Sequence, residues 1–259
     1  MATRYPIILV HGIMLKDVWK FKAFGKIESV MRGEGNEVFT SPHDGLGSIE
    51  NNAEQIKTFI ESVLDKTGKD KVNIVAHSKG GLDILYMLEN LDTLDKVASV
   101  TFLSTPHKGS IIAEKLYDMP KIIRSFLAFW LNFWYRIFGD KKPDALTVCK
   151  QLKKNEDGII KLTEKHKKIF MQSYSSTLNR SRDDFVMGIP LYFSKKFENL
   201  PSDGVVSVES SKIGQYQGNC TDISLSHSEM VDVLARKKKK SAIYDFYKRL
   251  CKELEENNF

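Results

Sequence analysis

One serine of the sequence lies where a nucleophile for acyl-transfer chemistry is expected. Ser78 is the third residue of the run AHSKGG, residues 76–81, between the β-branched run VNIVA and the helix-forming run LDILYML. These flanking runs predict a strand before the serine and a helix after it. A serine on such a sharp turn has a strained backbone, so its close neighbours must be small, as Ala76, Gly80 and Gly81 are. The pattern predicts a nucleophile elbow with Ser78 as the attacking group.

A second short segment offers backbone groups for the same chemistry. The apolar run at residues 7–10 predicts a strand, and His-Gly-Ile follows it at residues 11–13. The tetrahedral intermediate of acyl transfer carries an oxyanion, which two backbone N–H groups can stabilise. The amide of Ile13 and the amide of Lys79, the residue after the serine, are the predicted donors of this oxyanion hole.

Four segments together resemble the bacterial triacylglycerol lipases of the α/β-hydrolase superfamily. They are VHGI at residues 10–13, AHSKGG at 76–81, STPHKGS at 104–110 and PSDGVVS at 201–207, in the order that those lipases have. The chain departs from the usual motif at position 76, where alanine replaces glycine. The resemblance implies an α/β-hydrolase fold, with a mainly parallel central sheet flanked by helices, and cleavage of carboxylic esters. His11 and His107, which lie inside two of these segments, are then expected to be structural.

The resemblance also indicates the general base and the acid. In this fold the triad runs serine, acid, histidine along the chain, which points to the C-terminal part of the sequence. Of the six histidines, His227 in the run LSHSEM is the expected base, whereas His166 lies in a lysine-rich segment that is expected to be exposed. Asp203, in an Asp-Gly pair, is the predicted acid. The other candidates for the acid are Asp183, Asp184 and Asp222.

Several members of this family hold a structural calcium ion near the catalytic histidine, and the resemblance raises the same question here. The matching carboxylates are Asp183 or Asp184 and, two residues after His227, Glu229. Oxygen ligands suit calcium, but the amide ligand that follows in the family is missing from this chain. We therefore expect no metal and no other cofactor.

The length and composition indicate a single globular domain, residues 1–259, without a disulfide framework, and the resemblance implies that this domain is an α/β-hydrolase. The chain has 42% hydrophobic and 28% charged residues and a formal net charge of +6, which is typical of soluble proteins. Its three cysteines are odd in number and widely spaced, which suits a reducing compartment. The basic run RKKKK at residues 236–240 is interpreted as a solvated helix face, because no aromatic residues are interleaved with it as in nucleic-acid sites.

Predicted strands and helices alternate over much of the chain. Strands are expected at residues 7–10, 72–76, 97–104 and 223–225. A long amphipathic helix is expected between Ser48, a suitable N-cap, and Gly68, which can take the left-handed conformation that ends a helix. Strand, helix and strand in alternation imply right-handed crossovers and helices on both faces of a parallel sheet.

The segment 110–170 interrupts this alternation and is rich in aromatic residues. Its basic residues leave about a dozen uninterrupted apolar positions, fewer than the roughly 20 residues that a membrane span requires. Apolar residues surround the predicted helix, which favours a helical cap, or lid, over the C-terminal edge of the sheet rather than an ordinary core helix. The candidates for an acyl pocket in this cap are Phe126, Phe129, Trp130, Phe133 and Trp134.

These features predict a serine hydrolase that cleaves esters of apolar acyl chains through an acyl-enzyme, with a small ester or lipid as substrate and transient contact with a lipid interface. Two alternatives stay open: a carboxylesterase or acyltransferase that acts on small soluble esters, and a lipid-binding module without catalysis. No signal peptide is visible, so a cytoplasmic location is expected, with a secreted mature form as the alternative. No nucleic-acid partner is expected.

Overall fold

A parallel β-sheet forms the centre of the molecule in the computed structural model, which describes residues 2–14, 17 and 22–259. Within these residues the sheet has six strands in the order β2-β1-β3-β4-β5-β6, and every neighbouring pair is parallel. The strands are β1 Ile7–Val10, β2 Val38–Thr40, β3 Val72–His77, β4 Val97–Leu103, β5 Phe170–Ser175 and β6 Gln215–Asn219.

Helices connect the strands, as parallel pairing requires. In the described part of the chain they are α1 Ile27–Gly33, α2 Ile49–Thr67, α3 Lys79–Asn90, α4 Ile111–Tyr117, α5 Lys121–Ile137, α6 Ala145–Gln151, α7 Gly188–Phe197 and α8 Lys237–Glu256. The central strands send alternate side chains to two apolar layers. Ile7 and Leu9 of β1 face the layer that α1 and α8 complete, whereas Ile8 and Val10 face the layer that α2 and α3 complete. Both faces of the sheet are therefore covered.

The ends of α2 follow from its two flanking residues. The Ser48 hydroxyl accepts a hydrogen bond from the Asn51 amide at 3.2 Å. Gly68 ends the helix in the left-handed conformation, with φ +66° and its amide bonded to the Leu64 carbonyl. The helix predicted between Ser48 and Gly68 is confirmed, and the reason is the same at both ends: each residue satisfies backbone groups that the helix leaves unpaired.

The prediction of a mainly parallel sheet between helices is also confirmed, and three of the predicted strands are β1, β3 and β4. The strand predicted at residues 223–225 is wrong, since this segment is a loop. The last strand is instead β6, whose sequence QYQGN alternates between exposed and half-buried residues at the edge of the sheet. An edge strand buries few side chains and so lacks the apolar run of a central strand. β2 and β5 also lie outside the predicted strands.

The chain between β4 and β5 forms α4, α5 and α6, in the segment predicted to be a cap. Contrary to the expectation that α5 packs on more than one side, Ala128 alone of its 17 residues is buried. The five predicted pocket residues lie exposed on α5: Phe126, Phe129, Trp130, Phe133 and Trp134. Among the described residues, no helix combines the length and the apolar character that crossing a bilayer needs. The extent of a cap at 110–170 stays a prediction.

Two aspartates, which we call the aspartate clamp, hold the C-terminal end of α5 to the loop after β2. The Asp140 carboxylate accepts from the amides of residues 45 and 46 at 3.1 and 2.8 Å. The Asp44 carboxylate accepts in turn from the amides of residues 141 and 142 at 2.8 and 2.9 Å. Both carboxylates are buried, so they satisfy backbone donors that water cannot reach.

The interpretation of residues 236–240 as a solvated face is wrong in part. Lys239 is buried against Glu229, and Lys240 pairs with Asp232 at 2.9 Å. The run forms the first turn of α8, whose other turns pack on the sheet, so one residue of a four-lysine turn points inward.

His166 also differs from expectation. Its side chain is buried and not exposed, and Nδ1 lies 3.5 Å from the Glu89 carboxylate. The residue begins a single 3₁₀ turn, His166–Lys168, that leads into β5. The neighbouring lysines are exposed and make the segment polar, whereas the His166 side chain points inward.

Candidate active site

Ser78 lies on the sharp turn that its neighbours predict. β3 ends at His77 and α3 begins at Lys79, so the serine alone joins strand to helix. Its backbone has φ +57° and ψ −135°, a region that costs a residue with a side chain about 1–3 kcal/mol. The Ser78 amide donates to the Leu103 carbonyl of β4 at 2.9 Å, which helps to hold the strained turn in place. The hydroxyl is thereby presented at the C-terminal edge of the sheet.

The glycines after Ser78 are required by close contacts. A Cβ atom on Gly80 would lie 2.3 Å from the His11 carbonyl oxygen, and one on Gly81 would lie 2.1 Å from the Thr105 hydroxyl. Both distances are far below van der Waals contact, so neither position tolerates a side chain without movement of its neighbours. The small residues that mark the motif in the sequence therefore allow α3 to pack tightly against the ends of β1 and β4.

His227 joins Ser78 to a carboxylate. Its Nε2 lies 2.8 Å from Ser78 Oγ, and its Nδ1 lies 2.7 Å from Asp203 Oδ2. A carboxylate can only accept, so Nδ1 carries the proton and donates to Asp203. Nε2 is then the acceptor for the Ser78 hydroxyl. The structure thus brings together the three residues proposed from the sequence in the arrangement that makes a serine nucleophilic.

Asp203 is held by the turn that it begins. It is fully buried, and its Oδ1 accepts from the Val205 and Val206 amides at 3.0 and 2.8 Å. The His227 amide donates to the Asp203 carbonyl at 3.0 Å. One carboxylate oxygen therefore binds the Asp-Gly turn and the other binds the imidazole. Of the rival acids, Asp184 instead accepts from the Ser226 hydroxyl.

His77, to which sequence reasoning gave no role, contacts both the backbone and the ring of His227. Its Nε2 lies 3.1 Å from the His227 carbonyl oxygen, and the two rings are 4.5 Å apart between centroids. Burial lowers the pKa of His77 well below its ordinary value, and the nearby His227 acts in the same direction. The neutral ring can donate from Nε2 to the carbonyl. Its position directly before the nucleophile, at the end of a buried strand, was the available signal.

The predicted oxyanion hole lies beside Ser78. A Cβ atom on Gly12 would be 2.9 Å from Ser78 Oγ and 3.1 Å from the Lys79 amide nitrogen. The backbone of residues 12–13 and the first amide of α3 therefore meet at the nucleophile, where an oxyanion would form. The donor roles of Ile13 and Lys79 remain predictions.

The side chain of Lys79 points away from solvent into a buried ion pair. Its Nζ donates to Asp83 Oδ1 at 2.7 Å, and the Asn52 amide group of α2 donates to Asp83 Oδ2 at 3.0 Å. Burial raises the pKa of Asp83 to about 6, although Lys79 and Asn52 both act to lower it. The ion pair lies within the first turns of α3, and the bond from Asn52 to Asp83 ties it to α2 close to the nucleophile.

Sequence comparisons agree with this geometry. A family model described as alpha/beta hydrolase fold matches residues 40–154. The chain is 37% identical over 130 residues to a triacylglycerol lipase of Pseudarthrobacter phenanthrenivorans, an alignment that covers 46% of this chain and 39% of the lipase. It is 24% identical over 222 residues to triacylglycerol lipase 2 of Saccharomyces cerevisiae, over 80% of this chain and 61% of that protein.

Solved structures extend the similarity over nearly the whole chain. A metagenomic carboxyl esterase superposes with a TM-score of 0.73 over 98% of this chain and 76% of that chain, at 17% identity. The lipase of Staphylococcus hyicus superposes with a TM-score of 0.65 over 98% and 96%, at 16% identity. The chain has the α/β-hydrolase fold. The resemblance that the four sequence segments indicate is confirmed, while the chain spans about two fifths of the length of the Pseudarthrobacter lipase that it matches.

The residues of this α/β-hydrolase do not fit a calcium ion near His227. The Glu229 carboxylate is bound by the ammonium group of Lys239 at 2.5 Å and by the Ser226 amide at 3.0 Å. The Asp184 carboxylate accepts from the Ser226 hydroxyl at 2.5 Å. A lysine and a serine therefore occupy the lone pairs that calcium would need, and a cationic side chain would repel the ion.

The remaining histidines of the sequence motifs are packed into the α/β-hydrolase core. His107 is buried with its ring edge-on to Phe102 at 5.1 Å, and burial lowers its pKa to about 3. His11 is buried and stacks on His43 at 4.0 Å between ring centroids. Both side chains contribute to packing around the site, in keeping with their expected structural roles.

Proposed function

We propose that this chain hydrolyses carboxylic esters through an acyl-enzyme formed on Ser78. The observation that carries the proposal is the unbroken hydrogen-bonded series of Ser78 Oγ, the His227 imidazole and the Asp203 carboxylate, with distances of 2.8 and 2.7 Å. Ser78 is partly accessible to solvent at the end of β3, so a substrate can reach it. The similarity to triacylglycerol lipases and a carboxyl esterase supports the same reaction.

In the acylation half-reaction, Ser78 Oγ attacks the ester carbonyl while its proton moves to His227 Nε2. The carbonyl oxygen becomes an oxyanion, and the Lys79 and Ile13 amides are the donors that we propose for its stabilisation. Asp203 stabilises the imidazolium that forms and keeps the ring oriented. When the intermediate collapses, the ester C–O bond breaks and His227 gives its proton to the leaving alcohol.

In the deacylation half-reaction, water takes the place of the alcohol. His227 accepts a proton from the water as it attacks the acyl carbon, and the same amides stabilise the second oxyanion. The bond from the acyl carbon to Ser78 Oγ breaks, and the proton returns from His227 to the serine. The carboxylic acid leaves, and these steps use side chains, backbone amides and water alone.

An apolar groove between α4 and α7 supports an apolar acyl chain as the preferred substrate group. The groove has a volume of about 620 Å³, within the range of small-molecule sites. Its apolar lining consists of Ile112, Leu116, Met119, Ile189, Phe193 and Phe197. The helix α4, which forms one wall of the groove, is bonded to the acid loop at its N-terminal end, because the Ser110 hydroxyl donates to the Val205 carbonyl at 2.6 Å.

The exposed apolar face of α5 supports transient contact with a lipid surface during turnover. Ten large apolar residues of this helix are at least 42% exposed: Ile122, Ile123, Phe126, Leu127, Phe129, Trp130, Leu131, Phe133, Trp134 and Ile137. Exposed basic residues, among them Lys121, Arg136 and Lys141, lie at its two ends. Aromatic and aliphatic side chains beside cationic ones are typical of helices that lie in the headgroup region of a bilayer.

Labelling with a fluorophosphonate probe tests the nucleophile. The wild-type protein is expected to form a covalent adduct at Ser78, and Ser78→Ala is expected to lose it. Ser62→Ala is the matched control, since Ser62 is exposed on α2 and its hydroxyl donates to the Phe59 carbonyl of the same helix. A wild-type protein that labels no faster than Ser78→Ala would show that the serine is not activated.

Hydrolysis of p-nitrophenyl esters from acetate to palmitate tests the acyl preference. We expect kcat/KM to rise with chain length to at least C8, and Phe193→Ser, in the groove, to reduce the gain for long chains more than the rate for acetate. Preference for acetate in the wild-type protein, with no hydrolysis of emulsified triglyceride, would instead favour a carboxylesterase of small soluble esters.

A further inference from the structure

A buried polar cluster lies directly behind the loop that carries His227. We call it the Lys239 cluster, and its members are Lys239, Glu229, Ser226 and Asp184. The Lys239 ammonium donates to Glu229 Oε2 at 2.5 Å, and the Ser226 amide donates to the same oxygen at 3.0 Å. The Ser226 hydroxyl then donates to Asp184 Oδ2 at 2.5 Å. The cluster joins α8, the His227 loop and the segment before α7.

Burial makes this cluster energetically sensitive. The side chains of Lys239 and Glu229 are 9% and 2% exposed. Two opposite charges this deeply buried are tolerated only as a hydrogen-bonded pair, and removal of one partner leaves an uncompensated charge. The ion pair with Lys239 therefore fixes the position of the Glu229 carboxylate.

The cluster fixes the chain on both sides of the catalytic histidine. Ser226 precedes His227, and Glu229 follows it by two residues in the 3₁₀ turn Glu229–Val231. The Glu229 carboxylate bonds back to the Ser226 amide, so the two flanks of His227 are tied to one oxygen atom. Lys239 holds that same oxygen from α8. The histidine thus sits at the tip of a loop whose base is anchored to a packed helix.

Asp184 anchors the loop on its opposite side. Its Oδ1 accepts from the Val186 and Met187 amides at 2.8 Å each, directly before α7. Burial acts to raise the pKa of Asp184, but the Ser226 hydroxyl, these two amides and the charge on Lys239 together lower it below its ordinary value. Three hydrogen-bond donors therefore hold the Asp184 carboxylate, and the charge on Lys239 makes a smaller contribution in the same direction.

We propose that Lys239 is a positioning residue for the reaction at Ser78: its ammonium group, held by α8, fixes the His227 loop through Glu229. The inference rests on the proposed ester hydrolysis. Its basis is that catalysis needs the imidazole within hydrogen-bond reach of Ser78 and Asp203, and a displacement of about 1 Å can lower a rate by about two orders of magnitude.

Four variants test the proposal. Lys239→Met removes the charge and leaves Glu229 unpaired, and Lys239→Met with Glu229→Gln removes both charges. Lys239→Gln keeps a side-chain donor for Glu229 and provides a folded variant if Lys239→Met does not fold. Lys238→Met is the matched control, because Lys238 is exposed on the same turn of α8. Sites are counted by titration with a fluorophosphonate, and kcat and KM for p-nitrophenyl butyrate are measured per titrated site.

We expect Lys239→Met to lower kcat and the second-order rate of Ser78 phosphonylation at least tenfold, with KM changed less than threefold. Lys239→Gln should lie between it and the wild type. The double variant should recover only in part, since no buried charge is left unpaired but the bond from α8 to residue 229 is still missing, and Lys238→Met should match the wild type. A purely structural lysine would change the number of titrated sites but not the rate at each site.

The proposal is overturned if Lys239→Met or Lys239→Gln has the wild-type kcat per site, or if the double variant, which lacks the ammonium group, has it. Failure of the proposed function gives a different result. In that case the wild-type protein itself neither labels nor hydrolyses the ester, and the variants cannot be distinguished from it.

Discussion

At the scale of single residues, the two oxygens of Asp203 have different partners, and this asymmetry determines what an amide would do in its place. Oδ1 accepts from two backbone amides and Oδ2 accepts from His227 Nδ1. In Asp203→Asn the amide oxygen takes the side of the backbone donors, so its NH₂ group faces Nδ1. Nδ1 must then be the acceptor and Nε2 carries the proton, which prevents Nε2 from accepting the serine proton.

We therefore expect Asp203→Asn to lower kcat by about 10⁴, the effect of the wrong histidine tautomer in a serine triad, with KM nearly unchanged. The measurement is steady-state hydrolysis of p-nitrophenyl butyrate. Asp222→Asn is the control, since Asp222 is an exposed rival acid. A loss of less than tenfold in Asp203→Asn, or a large loss in Asp222→Asn, would contradict the assignment.

Gly12 provides a second test at this scale, because any side chain there meets the nucleophile. A Cβ atom would lie 2.5 Å from Ser78 Cβ and 2.9 Å from Oγ. Gly12→Ala should displace Ser78 or the residue 12–13 backbone and lower the rate of Ser78 phosphonylation by about 10² or more. Gly33→Ala is the control, as its Cβ meets nothing within 4 Å. Equal labelling rates in the two variants would be evidence against the close approach.

At the scale of elements, the aspartate clamp fixes one end of α5 while most of the helix surface stays free of contacts. Asp140→Ala leaves two buried amides at residues 45–46 without acceptors, at a cost of about 1–3 kcal/mol for each. We expect a lower free energy of unfolding and faster hydrogen exchange in residues 121–151. Asp157→Ala, in an exposed turn, is the control. Unchanged exchange in Asp140→Ala would mean that other contacts hold α5.

The elements that sequence reasoning predicted are those with local signals. The Ser78 elbow follows from a buried strand, small neighbours and a helix within about a dozen residues, and the ends of α2 follow from Ser48 and Gly68. The interior lysine of α8 has no such signal, because its partner Glu229 lies ten residues away in another element. The link from Ser226 to Asp184 spans 42 residues. Such contacts depend on how elements pack and not on any residue's own neighbours.

The apolar helix α5 is the opposite case, in which a strong local signal gave the wrong packing. Apolar residues surround the helix, yet Ala128 alone of its 17 residues is buried, and Asn132 and Tyr135 add partly buried contacts. Hydrophobic periodicity reports that a surface avoids water, and it does not identify what covers that surface. A lipid interface or a substrate satisfies the same pattern as a protein core.

At the scale of the whole molecule, buried neutral histidines make the free energy of unfolding depend on pH. In the unfolded chain His107 takes up a proton below its ordinary pKa of 6.5, but in the folded protein its pKa is about 3. Between these values the unfolded state binds the extra proton, so folding stability falls as pH falls, by about 1.4 kcal/mol per pH unit for this residue. His77, whose pKa burial also lowers, adds to the loss.

Urea unfolding at pH 4, 5, 6 and 7 measures this dependence. His107→Phe removes one titrating group from a site that already contacts Phe102. We expect its free energy of unfolding, relative to the wild type, to rise by about 1.4 kcal/mol for each unit from pH 6 to pH 4. Parallel curves for the two proteins would show that His107 does not titrate between its folded and unfolded states.

The polar edge strand β6 has a consequence for how copies of this protein behave at high concentration. A parallel sheet ends in unpaired N–H and C=O groups, which can bind the edge of another sheet and begin aggregation. At one edge of the sheet, the β6 sequence QYQGN provides glutamine and asparagine side chains and a glycine. At the other edge, β2 is three residues long. Neither edge strand of the described sheet is a long apolar strand with which a second chain could pair. The polar character that makes β6 hard to recognise from hydrophobic patterning also makes it a poor template for a strand of a second molecule.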